Sequence, residues 1–209
     1  MDSIPLTPTS GGGMCISDGA LWPADIIVST TEETVSQGIR WGTSSDVSHA
    51  ALYAGGGQVI EAVGEGVLVR GLLLSLHGHT LAVAYRVRGM NPVTASKIVQ
   101  IAKGWKDRRY DTVGAAAAGS RANRGGMVCV LAFGILPCAA ARGGMFKSSD
   151  KFYCSQLVLQ AYSRAGASFI DQNPNTSYPQ DLVTAYSHGK LEYVGHLIST
   201  KEEARAFGA

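Results

Sequence analysis

The chain has 209 residues, of which 45% are hydrophobic and 16% are charged. This length and composition suit one domain with its own hydrophobic core, and the chain is too short for two such domains. The formal net charge is only +2, and the Lys and Arg residues are scattered, which argues against a nucleic-acid-binding surface.

Residues 1–20 are predicted to form an irregular leader segment. They include Asp2 and lack the basic start and apolar run of a signal peptide, so we expect a protein that is cytoplasmic as made. Residues 127–141 are apolar but fall short of the roughly 20 residues of a membrane span, and they contain Pro137. We expect them to form a buried or groove-lining segment, with no transmembrane helix.

Short apolar and β-branched runs predict strands through the first half of the chain. They cover residues 25–28, 47–54, 58–63, 67–70 and 81–87. The three glycines from Gly55 to Gly57 predict a three-residue hairpin turn in which Ala54 pairs with Gln58. In that register Glu61 lies opposite Ala51, diagonal to His49 and on the same face of the sheet.

Two helices are predicted farther along. Thr94 is a plausible N-cap for a helix that runs to about Trp105. A second helix begins near Cys154, with Ser149 or Asp150 as its cap, and its apolar stripe runs to residue 165 before Gly166 stops it. Between them, residues of about 113–145 form an Ala/Gly-rich insertion that we interpret as containing helical pieces. The predicted organisation is therefore a single domain over residues 21–209, after the leader.

Cys154 and His49 are the candidate nucleophile and general base. A cysteine at a helix N-terminus meets unpaired N–H groups and the helix dipole, which favour the thiolate and can stabilise an oxyanion. His49 lies in a strand, and Glu61 could fix its tautomer as the third member of a triad. Each residue also has a structural explanation: an inert buried cysteine, a satisfied core histidine, and a carboxylate on a solvent-facing edge.

Six motifs follow one another along the chain. They are Asp25-Ile26-Ile27, Ser48-His49-Ala50-Ala51-Leu52-Tyr53, Val59-Ile60-Glu61-Ala62, Tyr110-Asp111, Tyr153-Cys154-Ser155-Gln156-Leu157-Val158 and Pro179-Gln180-Asp181-Leu182. Their order resembles the NlpC-type papain-like cysteine peptidase superfamily, in its circularly permuted branch. That branch includes the YiiX-like bacterial proteins and the lecithin retinol acyltransferase group, and in it the histidine strand precedes the cysteine helix.

The resemblance implies an α+β, permuted papain-like fold in which a small antiparallel sheet packs against the helix that bears Cys154. It also implies that Tyr110 assists the oxyanion or the substrate, with ordinary packing as the alternative. No metal or organic cofactor is expected. His77 and His79 could form a metal pair, but no cysteine or carboxylate cluster accompanies them, so a loop is favoured.

Three functions follow from this pattern. The preferred one is cleavage of an amide bond in peptidoglycan stem peptides through a thioester on Cys154. The protein would then be either a housekeeping enzyme or, as the small single domain favours, an antibacterial toxin delivered by a secretion machine to the periplasm of a rival cell, with an immunity or secretion protein as partner. The alternatives are a lipid-directed thiol acyltransferase or amidase, and a non-catalytic binding module.

Overall fold

The structure is a computed structural model. It describes residues 15–31, 47–112, 114–115, 129–131, 134–136 and 151–198. For residue 31 and the ranges 129–131 and 134–136, it describes only the backbone.

Six antiparallel strands form the main sheet. Their order across the sheet is β10-β5-β1-β2-β3-β4. The strands are β1 (Ile26–Thr31), β2 (His49–Gly55), β3 (Gln58–Val63), β4 (Gly66–Gly71), β5 (His79–Val87) and β10 (Leu191–Ile198). All five predicted strands are therefore present, and β10 is an addition to them.

Four α-helices, two 3-10 helices (Asp18–Ala20 and Pro174–Thr176) and two small strand pairs accompany the main sheet in the described part of the chain. The α-helices are α1 (Leu72–Ser75), α2 (Pro92–Lys103), α3 (Cys154–Ala165) and α4 (Pro179–Ser187). The strands β6 (Arg109–Tyr110) and β9 (Lys151–Phe152) pair in parallel, and β7 (Cys129–Leu131) pairs with β8 (Gly134–Leu136) in antiparallel. The α+β class is confirmed. Within the insertion, the described residues include this β7–β8 pair, which the prediction of helical pieces did not anticipate.

Apolar side chains cover both faces of the main sheet. On one face, Leu52 and Ile60 belong to the same buried cluster as Leu157 and Val158 of α3. On the other face, a smaller cluster includes Leu72 and residues of β1, β2 and β5. Alternate strand residues point to opposite faces, so every strand of the sheet except β4 contributes to both clusters. The larger cluster holds α3 against β2 and β3.

The β2–β3 hairpin has the predicted register over most of its length. Glu61 pairs with Ala51, and the next two pairs follow the same rule. The register then shifts, so that Gly55 and not Ala54 lies opposite Gln58. The three turn glycines all have positive φ, which costs glycine far less than other residues. This irregularity at the turn is the one departure from the predicted pairing.

The ends of α2 and α3 differ in detail from the predictions. Helix α2 is capped by Asn91, whose side chain accepts a hydrogen bond of 2.9 Å from the Thr94 backbone N–H. The prediction of Thr94 as N-cap was wrong because Pro92, which lacks an N–H, fits the first helical position. At α3 the N-cap position is Tyr153, so Ser149 and Asp150, which lie outside the described residues, do not occupy it. Gly166 ends α3 with a φ of 80°, as predicted.

The start of the described chain is attached to its last strand. Cys15 forms a parallel bridge with His196 of β10, and the Ile16 N–H donates to the His196 carbonyl at 2.8 Å. The last residues of the predicted leader are thus hydrogen-bonded to the sheet, and residues 1–14 lie outside the described part. No helix in the described ranges is long and apolar enough to cross a membrane. Most of residues 127–141, the predicted groove-lining segment, fall outside those ranges.

Candidate active site

His49 and Glu61 meet between β2 and β3. His49 is the first residue of β2, and its Nε2 lies 2.6 Å from Oε2 of Glu61. The Glu61 side chain is 1% exposed, whereas that of His49 is 17% exposed. The pair exists because the hairpin register places Glu61 opposite Ala51, two residues after His49 on the same face. The carboxylate is therefore buried while one side of the imidazole is open to solvent.

Two further donors hold the Glu61 carboxylate. Ser75 Oγ, from α1, donates to Oε2 at 2.9 Å, and Arg70 Nε, from β4, donates to Oε1. Burial alone raises the pKa of Glu61, but hydrogen bonds and charge from His49 and Arg70 outweigh it and lower the pKa. Glu61 is therefore a carboxylate at neutral pH, with three donors from three different elements.

Cys154 is the first residue of α3 and is buried, with 7% of its surface exposed. Burial lowers the pKa of His49, but hydrogen bonds to Cys154 and Glu61, together with their charges, outweigh it and raise the pKa above its ordinary value. Since Nε2 contacts Glu61, Nδ1 is left available for Cys154. His49 is thus placed between a carboxylate and a thiol, where its protonated form is stabilised by both.

Side-chain hydrogen bonds fasten the first turn of α3 to the segment that follows the helix. Gln156 Nε2 donates to Asn175 Oδ1 at 2.8 Å, and Ser155 Oγ donates to the Ser177 carbonyl at 3.2 Å. The Tyr153 hydroxyl donates to the Pro174 carbonyl at 3.1 Å. Residues 153–156 surround Cys154 in sequence, so these contacts fix the helix end that carries the thiol. The sequence pattern did not indicate them.

Tyr110 lies close to Cys154. It belongs to β6 and pairs with Phe152 of β9, two residues before Cys154. Burial raises the pKa of Tyr110, and negative charge at Cys154, Asp111 and Tyr153 raises it further. The phenol therefore keeps its proton and remains a hydrogen-bond donor near the thiol, while its assistance to the oxyanion or the substrate stays a prediction.

His79 was not recognised as part of this site. It begins β5 rather than lying in a loop, so the loop assignment was wrong for this residue, whereas His77 lies in the preceding turn and is exposed. The ring of His79 lies 6.2 Å from that of His49, at an interplanar angle of 75°. Only the long-range pairing of β5 with β1 brings His79 there, and the local sequence contains no signal for that pairing.

The site contains donor types that metals use, namely imidazole, thiol and carboxylate. Within the described residues, however, no three His, Cys, Asp or Glu side chains are arranged to hold an ion. Both Glu61 oxygens already accept hydrogen bonds from protein groups. The geometry favours a hydrogen-bonded Cys–His–Glu arrangement.

Comparisons with known proteins give a curated relative and solved structures with a similar fold. No protein-family model matches the chain. The chain is 28% identical over 194 residues to a protein of Escherichia coli (strain K12) named probable lipoprotein peptidase YaeF, covering 85% of this chain and 71% of that protein. The crystal structure of metalloprotein yiiX from Escherichia coli O157:H7 superposes with a TM-score of 0.51 at 20% identity, covering 88% of this chain and 93% of that one. The fold is therefore similar to that of yiiX, and the similarity to YaeF suggests a peptidase.

Proposed function

We propose that the chain is a cysteine peptidase or amidase of the permuted papain-like type, which hydrolyses an amide bond in peptidoglycan stem peptides. The observation that carries the proposal is the position of His49 between Glu61 and Cys154, the latter on the first turn of a helix. The chain order, with the histidine strand before the cysteine helix, supports the permuted topology. The similarity to a probable peptidase supports the reaction class.

The reaction starts when the Cys154 sulfur attacks the carbonyl carbon of the amide bond. His49 takes up the thiol proton, and Glu61 holds the imidazole in orientation through Nε2. The unpaired N–H groups at the start of α3 stabilise the negative charge that develops on the carbonyl oxygen. Tyr110 donates to the same oxygen or to the substrate beside it.

Collapse of this intermediate breaks the C–N bond. His49 returns its proton to the departing amine, and the acyl group stays on Cys154 as a thioester. Water, deprotonated by His49, then attacks the thioester and releases the carboxylic acid. The thiol is restored, and the sequence of steps uses no redox partner or metal.

The direct test incubates purified peptidoglycan with the wild-type protein and with Cys154→Ala, and identifies products by mass spectrometry. Cys15→Ala is the matched control, because Cys15 is an exposed cysteine on the far edge of the sheet. We expect cleaved stem peptides from the wild type and from Cys15→Ala, and none from Cys154→Ala. Equal cleavage by Cys154→Ala would overturn the proposal.

A lipid-directed acyltransferase or amidase is the second candidate, and an exposed apolar pair favours it. Leu73 and Leu74 are 65% and 63% exposed on α1, the helix whose Ser75 contacts Glu61. An acyl chain could lie against them. Incubation with phospholipid acyl donors distinguishes the two: acyl transfer from lipid without stem-peptide cleavage supports this candidate against the first. A protein without turnover on either substrate, whose Cys154 also fails to react with iodoacetamide, would instead be a binding module.

The biological setting we propose is that of a toxin acting in the periplasm of a rival bacterium. Expression with an added export signal tests it, because the substrate is then on the same side of the inner membrane as the enzyme. We expect lysis on export of the wild type, and normal growth with exported Cys154→Ala or with the wild type kept in the cytoplasm. Normal growth on export of the active enzyme would argue for a housekeeping role.

A further inference from the structure

His79 is a buried histidine that the proposed reaction does not use. It is 9% exposed, and its backbone pairs with Thr31 at the edge of the site. Within the described ranges, its Nδ1 is buried and has no hydrogen-bond partner. A buried ring nitrogen without a partner is costly, and buried N–H groups that lack an acceptor are rarer in proteins than buried acceptors that lack a donor. The ring is therefore expected to carry its single proton on Nε2.

The rings of His79 and His49 meet edge to face. Their centroids are 6.2 Å apart at 75°, within the range of favourable aromatic pairs. Such a contact restricts the rotation of the partner ring. Rotation of the His49 ring would break its contacts with Glu61 and Cys154, because both depend on where its two nitrogens point.

The charges around His79 oppose its protonation. The charged groups that act on it are His49 on β2, Glu61 on β3 and Arg70 on β4. Burial lowers the pKa of His79, the positive charges of His49 and Arg70 lower it further, Glu61 opposes them, and the result is a pKa of about 4. At neutral pH a neutral ring therefore faces an imidazole whose charged form is stabilised.

We propose that His79 is a positioning residue that holds the His49 ring toward Glu61 and Cys154 by edge-to-face packing, and that it does so only while neutral. The inference rests on the roles proposed for Cys154 and His49. A proton on His79 would put a second cation against His49 and leave Nδ1–H without an acceptor. The charged His49 would then lose stabilisation, and Cys154 would lose its base.

The test uses the full chain and two measurements that need no substrate. One is the rate at which iodoacetamide alkylates Cys154, followed by mass spectrometry of the peptide that contains it. The other is the pKa of the His49 ring, from NMR titration. Three variants are compared. His79→Phe keeps an aromatic ring that cannot be protonated, His79→Gln keeps a polar group without a ring, and His79→Ala keeps neither. His77→Ala is the matched control, since His77 is exposed and two residues away.

We expect His79→Phe and His77→Ala to stay within about twofold of the wild-type alkylation rate at neutral pH. His79→Gln and His79→Ala should be slower by about three- to tenfold, with a lower pKa of His49. Between about pH 6 and pH 3.5 the wild type should also lose about threefold more rate than His79→Phe, while circular dichroism shows both folded.

Two results would overturn the inference. One is an unchanged pKa of His49 and an unchanged alkylation rate in His79→Gln. The other is a His79→Phe variant that is as slow as His79→Gln. If His79→Ala does not fold, the Phe and Gln variants decide the matter, because both fill the site. A wild-type Cys154 no more reactive than Cys15 would count against the proposed function, and the pKa of His49 in the variants would still test His79.

Discussion

Ser75 donates its hydroxyl hydrogen to the same Glu61 oxygen that contacts His49, at 2.9 Å. A four-residue helix, α1, is therefore connected to the candidate base through one buried carboxylate. We expect Ser75→Ala to lower peptidase activity by about three- to tenfold, since Glu61 would lose one of its donors, and to cost about 1 kcal/mol of stability. Steady-state kinetics and urea unfolding measure the two effects.

Ser187→Ala is the control for that variant, because Ser187 makes a weak 3.5 Å contact with the Val183 carbonyl on α4 and none with the site. Both variants remove one hydroxyl group. Equal activity in Ser75→Ala and Ser187→Ala would show that Ser75 does not orient Glu61.

Glu61→Gln keeps the shape of the side chain and removes its charge. The amide can present its NH₂ group to His49, which would stabilise the wrong tautomer and remove the charge that raises the pKa of His49. We expect kcat to fall by about 10²–10⁴-fold with a smaller change in KM. The pKa of the His49 ring, followed by NMR, should fall in the same variant, and an unchanged kcat would rule out Glu61 as an orienting group.

The folding stability of the wild type should decrease at low pH, because Glu61 becomes protonated there. Its pKa is lowered in the folded state from 4.5 to about 2, so its carboxylate stabilises the fold above the unfolded-state value. That contribution is lost as the pH falls from 4.5 toward 2. Thermal melts across this window should show a steeper decline for the wild type than for Glu61→Gln. Parallel declines would contradict the pKa shift.

Gly166→Ala should destabilise the protein by about 1 kcal/mol, because the glycine ends α3 with a φ of 80°. Gly64→Ala is the matched control, since a Cβ at that turn meets no atom within 4 Å and its φ is not in the left-handed range. Urea unfolding compares the two. A loss in Gly64→Ala as large as in Gly166→Ala would show that the strain at the helix end is not the cause.

The sequence predicts the parts of the site that depend on local patterns. The glycine turn sets the register that brings Glu61 to His49, and the apolar stripe from Cys154 to Gly166 defines α3. Both follow from residues close together in the chain. The geometry is as predicted, whereas the catalytic roles of these residues stay predictions.

The missing parts depend on contacts between distant segments. His79 reaches His49 because β5 pairs with β1, which in turn pairs with β2, and no short-range pattern specifies that order. Ser75 lies on a helix too short to show a 3.6-residue period. Gln156 and Asn175 are 19 residues apart, and each resembles an ordinary surface amide in sequence.

The bridge between Cys15 and His196 has a consequence for how the protein can be joined to something else. Cys15 lies beside β10, at one edge of the sheet, whereas His49 and Glu61 lie on β2 and β3, toward the other edge. A linker attached to the exposed Cys15 thiol therefore starts from the border of the sheet away from the candidate base. Immobilisation through Cys15 is a practical way to present the site to an insoluble substrate such as a cell-wall sacculus.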